Sequence, residues 1–288
     1  MGAPDDGHRL QAEGVSAQDP REALGDAPRV RPIGRPHWRG LWTIYRFGAV
    51  RLSRIVLETI VGPILSALLF LAVFAIALAD TQGFGGEVSF LQFLVPGIAA
   101  FAMIQASYEM AAFPVVYDKL EGTLADQIMS PLMEWEIALG YALVGATAGL
   151  IVGAGVLAVA WAFVPLAFAN PWMVVAVAPL AALAFAFLGT VTGLWAQKWD
   201  QLSVVDTFLM LPLAFLSGAF FALDRVPAVG ETLIRLNPVT YAIDAVRYAV
   251  SGWHATEPWL ALAVVAALTV GAASLSLRLF SIGWKIKA

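Results

Sequence analysis

The side chains that could do chemistry are few and stand far apart. Three carboxylates, Glu58, Glu109 and Asp206, fall in or beside long apolar runs. Carboxylates inside a membrane can pass protons or hold cations, but carriers that work this way keep them near the bilayer midplane. These three fall near predicted helix ends, with Glu109 a turn inside its apolar stretch. The favoured reading is therefore pairing with arginines such as Arg51 or Arg54, or a helix-end role. The four lysines are Lys119, Lys198, Lys285 and Lys287, and none follows a glycine. That removes the Gly-Lys-Ser/Thr signature with which a phosphate-binding loop holds nucleotide. His8, His37 and His254 are scattered, and neither H-E-x-x-H nor G-x-S-x-G occurs. No metal centre or activated nucleophile is indicated. With no cysteine there is no disulfide or thiolate site. The residues argue against an enzyme and against a cofactor bound by this chain.

The elements that must carry these residues are membrane helices. The chain has 288 residues, 60% hydrophobic and 13% charged, where a soluble domain carries about 25% charged residues. Charge is missing from residues 59–79, 88–108, 137–197, 207–223 and 258–277. A bilayer crossing takes roughly 20 apolar residues, so the third run must hold two crossings, turning between Pro165 and Pro171. The expected fold is all-α with six transmembrane helices at about 57–79, 89–113, 137–163, 172–195, 203–222 and 258–281. Gly62-Pro63 should kink the first, and the second should end near Pro114. Gly145, Gly149 and Gly153, with Gly189 and Gly193, let helix backbones approach closely. Packing within one subunit is favoured over a dimer contact.

Basic residues set the orientation. If both termini are cytoplasmic, fourteen of the seventeen Lys and Arg are inside, and Arg225, Arg235 and Arg247 are outside. The positive-inside rule favours that topology. No cleavable signal peptide is expected, because Ala77-Leu78-Ala79 follows too long a polar region and too long an apolar run. Residues 1–36 are rich in Pro, Gly, Asp and Arg and read as a disordered cytoplasmic tail, with 37–288 as the transmembrane domain. From Trp38 to about Ile55, Trp38, Leu41, Trp42, Ile44, Tyr45, Ala49, Leu52 and Ile55 gather on one arc. Arg39, Arg46, Arg51 and Arg54 lie opposite, and Phe47 and Val50 break the split. This is a basic amphipathic helix for the inner leaflet, its arginines suited to anionic lipid.

Two further segments are patterned. Between spans two and three, Glu121-Gly122-Thr123-Leu124-Ala125-Asp126-Gln127 predicts a short helix with Thr123 as N-cap, stopped by Ser130-Pro131. Leu120, Leu124 and Ile128 form a stripe. It fits docking into a partner's groove or resting on the chain's own helix ends equally well. After span five, two amphipathic pieces, 227–236 and 239–250, hinge at Asn237-Pro238. Asp244 and Arg247 are spaced for an i, i+3 ion pair. So apolar a segment is expected to dip back into the outer leaflet, its broken backbone shielded by protein.

These residues closely resemble the ABC-2 type export permeases, in the subclass of drug-resistance and nodulation lipo-oligosaccharide exporters. Three matches carry the resemblance. The first is Glu121-Gly122-Thr123-Leu124 with Ser130-Pro131, Glu136-Ile137 and Gly140. The second is Ser217-Gly218-x-Phe220-Phe221 followed by Asp224-Arg225-x-Pro227. The third is Asn237-Pro238-x-Thr240-Tyr241-x-x-Asp244-x-x-Arg247. It covers about residues 40–285, and Ala222 stands where the family often has proline.

The resemblance implies a homodimer or pseudo-dimer of six-helix subunits in the bacterial inner membrane, with a separate cytoplasmic ATPase subunit on each. ATP and Mg would be held by that partner, and no nucleic acid is implied. Glu121, Gly122, Thr123, Leu124, Asp126 and Gln127 would form the coupling helix that meets the ATPase. Trp38, Trp42, Arg46, Arg51 and Arg54 would belong to a supporting elbow helix in contact with membrane lipid. Ser217, Gly218, Phe220, Phe221, Pro227, Asn237, Pro238, Tyr241, Asp244 and Arg247 would form the re-entrant outer gate. The implied activity is ATP-driven export of an amphipathic substrate, whether drug-like, lipid or lipid-linked glycan, with a capsule or O-antigen type polysaccharide exporter as the alternative. An ion-coupled carrier or intramembrane enzyme fits less well, because titratable groups are nearly absent from the spans and the halves show no repeat. Phe215, Phe220, Phe221 and Tyr241 could stack on sugars, but aromatics at membrane interfaces are common without such a role.

Overall fold

The computed structural model describes Gly2 and residues 38–77, 89–166, 168–220 and 228–285, and every regular element among them is helical. The 1–36 tail, Phe221 and Pro227 lie outside the described residues. Helix α1 spans Trp38–Arg54, and a π-helical turn, Leu57–Val61, leads into α2, Gly62–Ala77. Helix α3 is Phe90–Leu120, α4 is Thr123–Met129, α5 is Glu134–Trp161 and α6 is Pro171–Trp195. Next come α7, Trp199–Val205, a second π turn, Asp206–Met210, and α8, Leu211–Phe215. The chain closes with α9, Ala228–Leu236, α10, Pro238–Ser251, and α11, Pro258–Ser281.

Among the described residues, five helices are long and apolar enough to cross a membrane: Leu57–Ala77, Phe90–Leu120, Glu134–Trp161, Pro171–Trp195 and Pro258–Ser281. Helices α5, α6 and α11 fall closely on the expected third, fourth and sixth spans. The expected fifth, 203–222, is a shorter run from Trp199 to Phe215 with a π turn in its middle.

Each π turn ends shortly before a proline, Pro63 or Pro212. Proline has no N–H to give, and its ring crowds the carbonyl four residues back. A widened turn relieves that crowding without ending the helix, so the kink expected at Gly62-Pro63 takes this form. Pro114 does not end α3 as expected, and the helix runs on to Leu120 with Pro96 and Pro114 inside it. A mid-helix proline costs about 3 kcal/mol. Beyond it Val115 and Val116 are fully buried, each gaining roughly 1.5–3 kcal/mol over exposure. Lys119 Nζ also donates to the Leu194 carbonyl at 2.6 Å, tying α3 to the end of α6.

Helix α3 is the axis of the bundle and by far the most buried of the long helices. It runs between glycine faces of α5 and α6. A Cβ at Gly145 would come within 2.6 Å of the Ser107 carbonyl, and one at Gly193 within 2.8 Å of the Ala112 carbonyl. At Gly149 a Cβ would overlap Ser107 Oγ and the Met103 carbonyl. The glycine repeats therefore bring backbones together within one subunit, as small-residue seams do in lipid. At the expected inner end, Val115, Leu124, Ile137, Leu194 and Phe280 form a cluster that locks α3, α4, α5, α6 and α11 together.

The seam gives a paired test. Gly149→Ala should lower thermal stability in detergent, because overpacking against a backbone oxygen costs about 1–3 kcal/mol. Gly271→Ala, with nothing within 4 Å of the new methyl, should be neutral or stabilise by up to about 1 kcal/mol.

Candidate functional site

Two polar nodes close the two ends of the bundle, and a third polar group lies between them. At the end of the bundle expected to face inward, Gly122 adopts φ +80°, a conformation open to glycine without steric cost. It reverses the chain after α3 and stands as N-cap of α4. Thr123, expected in that role, is the first helical residue instead, and its Oγ1 donates to the Asp118 carbonyl at 3.2 Å. Ser130 is extended and ends the helix ahead of Pro131.

The apolar stripe of α4 turns inward. Leu124 is 0% exposed, and Ile128 packs against the same cluster. Leu124 thus anchors α4 to its own subunit and does not present a surface to a partner. The outward side carries Glu121, Gly122, Thr123 and Asp126, with Met129 at 85% exposure.

Behind α4, one carboxylate joins four helices. Arg51 Nη2 of α1 donates to Asp118 Oδ1 of α3 at 2.9 Å. The Tyr141 hydroxyl of α5 donates to Oδ2 at 2.5 Å and lies 3.1 Å from Gln127 Oε1 of α4. The Arg51 guanidinium lies 4.5 Å from the centre of the Tyr117 ring. A cavity of about 300 Å³, lined by Phe47, Leu52, Met110, Pro114 and Val144, borders the group. Arg51 was expected to face anionic lipid, but it turns inward because Asp118 offers a buried counter-charge. Arg46 and Arg54 stay exposed, as do Trp38 and Trp42. Leu41, Ile44, Tyr45 and Leu52 are the side chains of α1 that face the bundle. The Tyr45 hydroxyl lies 3.2 Å from Thr147 Oγ1.

At the opposite end, several of the residues expected to form the gate come together. Asn237 caps α10 by accepting from Val239 N–H at 3.0 Å, and its Nδ2 donates to the Leu213 carbonyl at 2.6 Å. The hinge with Pro238 is thereby tied to α8. Tyr241 donates to the Arg235 carbonyl at 2.9 Å, folding α9 against α10. Arg247 is 2% exposed. Its guanidinium donates to the carbonyls of Phe93, Gly218 and Ala219 at 3.2, 2.9 and 3.2 Å. It also lies 3.9 Å from the centre of the Phe93 ring. A Cβ at Gly97 would come within 2.6 Å of this guanidinium, so glycine there leaves it room. Burial lowers the Arg247 pKa to about 10, with nearby Asp244 pulling the other way, so the group is charged at neutral pH.

The i, i+3 ion pair that Asp244 and Arg247 could have made does not form. Asp244 instead accepts from the Ala255 and Thr256 amides at 3.0 and 2.8 Å and from Thr256 Oγ1 at 2.5 Å. Ser217 is buried and Gly218 has φ +73°. Phe220 joins Phe70, Phe74, Phe101 and Phe215 in an aromatic cluster with ring centres 5.3–5.9 Å apart.

The three acidic residues were expected to pair with arginines or to take helix-end roles; among the described residues none pairs with an arginine, and Glu58 and Asp206 stand in the first turns of the two π-helical elements. Gln105 Nε2 donates to Glu109 Oε1 at 2.7 Å and to Asp206 Oδ1 at 2.9 Å, while Glu58 is exposed on the first π turn. The sequence reading missed Gln105, Asp118, Met129 and Tyr141. Two of them carried a signal: Gln105 precedes Glu109 by one helical turn, and Asp118-Lys119 sits where an apolar helix must end.

The family model for ABC-2 type transporters matches residues 38–251. The chain belongs to the ABC-2 type transporter family. The inner membrane transport permease YadH of Escherichia coli K12 is 30% identical over 217 residues, covering 75% of this chain and 84% of that protein. Nodulation protein J of Rhizobium leguminosarum bv. trifolii is 30% identical over 226 residues, covering 77% of this chain and 84% of its own length. Nodulation protein J of Rhizobium meliloti is 25% identical over 226 residues. The match to this ABC-2 type transporter extends from α1 through α10, so it takes in both nodes.

The Asp118 node has a measurable signature. Asp118→Ala should destabilise the permease by roughly 2–3 kcal/mol, less than a sealed pair because Arg51 can turn to water. Tyr141→Phe should cost about 1 kcal/mol. In a detergent unfolding cycle, Arg51→Met and Asp118→Ala should depart from additivity by more than about 0.5 kcal/mol.

Proposed function

We propose that the chain is the membrane subunit of an ATP-driven exporter, driven by a separate cytoplasmic ATPase seated on α4. The observation that carries this reading is the division of α4 into two faces. Leu124 anchors it to the bundle, while Asp126 and Met129 are exposed on its other side. Nothing in the chain offers a nucleotide-phosphate cradle, so ATP and Mg²⁺ belong to the partner.

Motion of the ATPase would move α4, and the Asp118 group gives that motion a route to α1, α3 and α5. For the cycle to run, the partner must bind the inward-open and outward-open states with different affinity. The run 199–215 serves as the sixth crossing. At about 1.5 Å per residue its 17 residues span about 25 Å, within the lower range for a crossing. Both termini are then cytoplasmic, α1 lies along the inner leaflet, and α9 and α10 form a re-entrant outer cover. The most exposed apolar faces include Leu69, Val73 and Ile76 of α2 and Phe208 on the second π turn. We assign them to lipid and to a second copy of the subunit, with an amphipathic cargo crossing between the two.

Met129→Glu combined with Asp126→Arg should reduce co-purified ATPase and stimulated ATP hydrolysis at least about tenfold, with thermal stability unchanged. Normal hydrolysis and export in that variant would remove α4 as the docking site. Because the chain has no cysteine, single cysteines at Val73 or Phe208 should cross-link two copies in native membranes. Cysteines at Lys198 and Glu231 should label from opposite sides of the membrane; labelling from one side would exclude the sixth crossing.

A further inference from the structure

Between α2, α3 and α8 lies a cavity of about 200 Å³, lined by Ser66, Phe70, Phe101, Gln105, Glu109 and Phe220 among others. Its walls are aromatic and its polar group is acidic. Glu109 and Asp206 share the Nε2 of Gln105. Among the described residues no Lys or Arg forms an ion pair with either carboxylate: the two salt bridges there are Arg51–Asp118 and Arg235–Glu231. The remaining amide atom, Gln105 Oε1, is buried and has no hydrogen-bond donor. Two carboxylates therefore converge on the single NH₂ of Gln105, beside one unsatisfied acceptor and without an ion pair among the described residues. Such a cluster is costly inside a membrane bundle, and ionisable residues there mark the path of a substrate or ion.

The size and the walls of the cavity decide between a metal ion and an organic cation. No group of three or more His, Cys, Asp or Glu that could hold a metal ion occurs among the described residues. The aromatic rings suit the face of an ammonium or guanidinium and the apolar stem behind it. Glu109 lies about 17 Å along the α3 axis from Leu120, at 1.5 Å per residue. Each flanking segment also contains a π turn, and Asp206 opens the second of these.

We propose that this cavity receives the cationic head of an amphipathic substrate, an alkylammonium or guanidinium. Glu109 and Asp206 supply the counter-charge, Gln105 Oε1 accepts an N–H, and Phe70, Phe101 and Phe220 hold the adjoining apolar part. This rests on the export reading only in calling the occupant cargo; the binding itself requires no ATPase.

The test uses the full chain in nanodiscs of neutral lipid with dansylcadaverine, a fluorescent primary amine, and its N-acetylated neutral form, reading Kd from emission. The wild type should bind the amine at least about tenfold more tightly than the acetylated probe. Glu109→Gln and Asp206→Asn should each reduce that preference towards about onefold while leaving binding of the acetylated probe within about twofold. Phe101→Ala should weaken both probes, and Glu109→Asp should retain part of the preference. Thermal unfolding of each variant identifies any that fail to fold, and the two independent carboxylate variants keep the test decisive. Equal binding of the two probes by the wild type, no binding of the amine, or an unchanged preference in the folded carboxylate variants overturns the assignment. A missing ATPase partner would sink the export reading and leave this result standing. Charge-blind binding beside normal ATPase coupling would do the reverse.

Discussion

The carboxylate of Asp118 lies where four helices meet, and the arrangement of that end of the bundle depends on it. It takes one proton donor from α1 and one from α5, and the donor on α5 also reaches α4. A buried carboxylate must be matched by donors or it destabilises the state that buries it. Displacing any one of these helices would therefore strip a partner from the charge. Ordinary apolar contacts at a helix end can slide by small steps, but a short charge-assisted bond is lost over about an ångström. The group thus ties the position of α4 to those of α1, α3 and α5, as the movement proposed for α4 would require.

That node works because α3 is a firm support. The helix passes two prolines without ending, and glycines on both neighbours let it sit against their backbones. In lipid there is little hydrophobic gain in pressing helices together, so close backbone approach and local polar bonds carry the association. Helix α2 is different: little of it is buried, and most of its side chains face away from the bundle. The structure therefore combines a tight trio of α3, α5 and α6 with a loosely held flank, and the acidic cavity lies along the border between them.

Most of the long helices were legible in the sequence because hydrocarbon imposes a length and excludes charge. The uncharged stretches outlined α5, α6 and α11 closely. Glycine spacing likewise pointed to a close seam. The reading was weaker wherever a side chain had a choice of partners. Arg51 shares a helix face with lipid-suited arginines, and nothing in its spacing shows that Asp118, 67 residues on, will claim it. Asp244 and Arg247 are placed to pair, yet each finds a better satisfied position among backbone groups. The turn at Gly122 shows the limit of capping rules, because Thr123 is a good N-cap by type. The need for a left-handed residue at the reversal moved the cap one position back. Pro114 misled for a related reason, since a lost backbone bond is offset by burial that local sequence does not display.

The buried guanidinium of Arg247 has a mechanical corollary. By gripping carbonyls on α3 and on the turn after α8 at once, it rivets α10 to the trunk of the bundle. Swinging α10 away about Asn237 would strip the buried guanidinium of these acceptors. If the subunit works as one half of the proposed exporter, widening at this end would come from tilting of the trunk, with α10 carried along as a passenger.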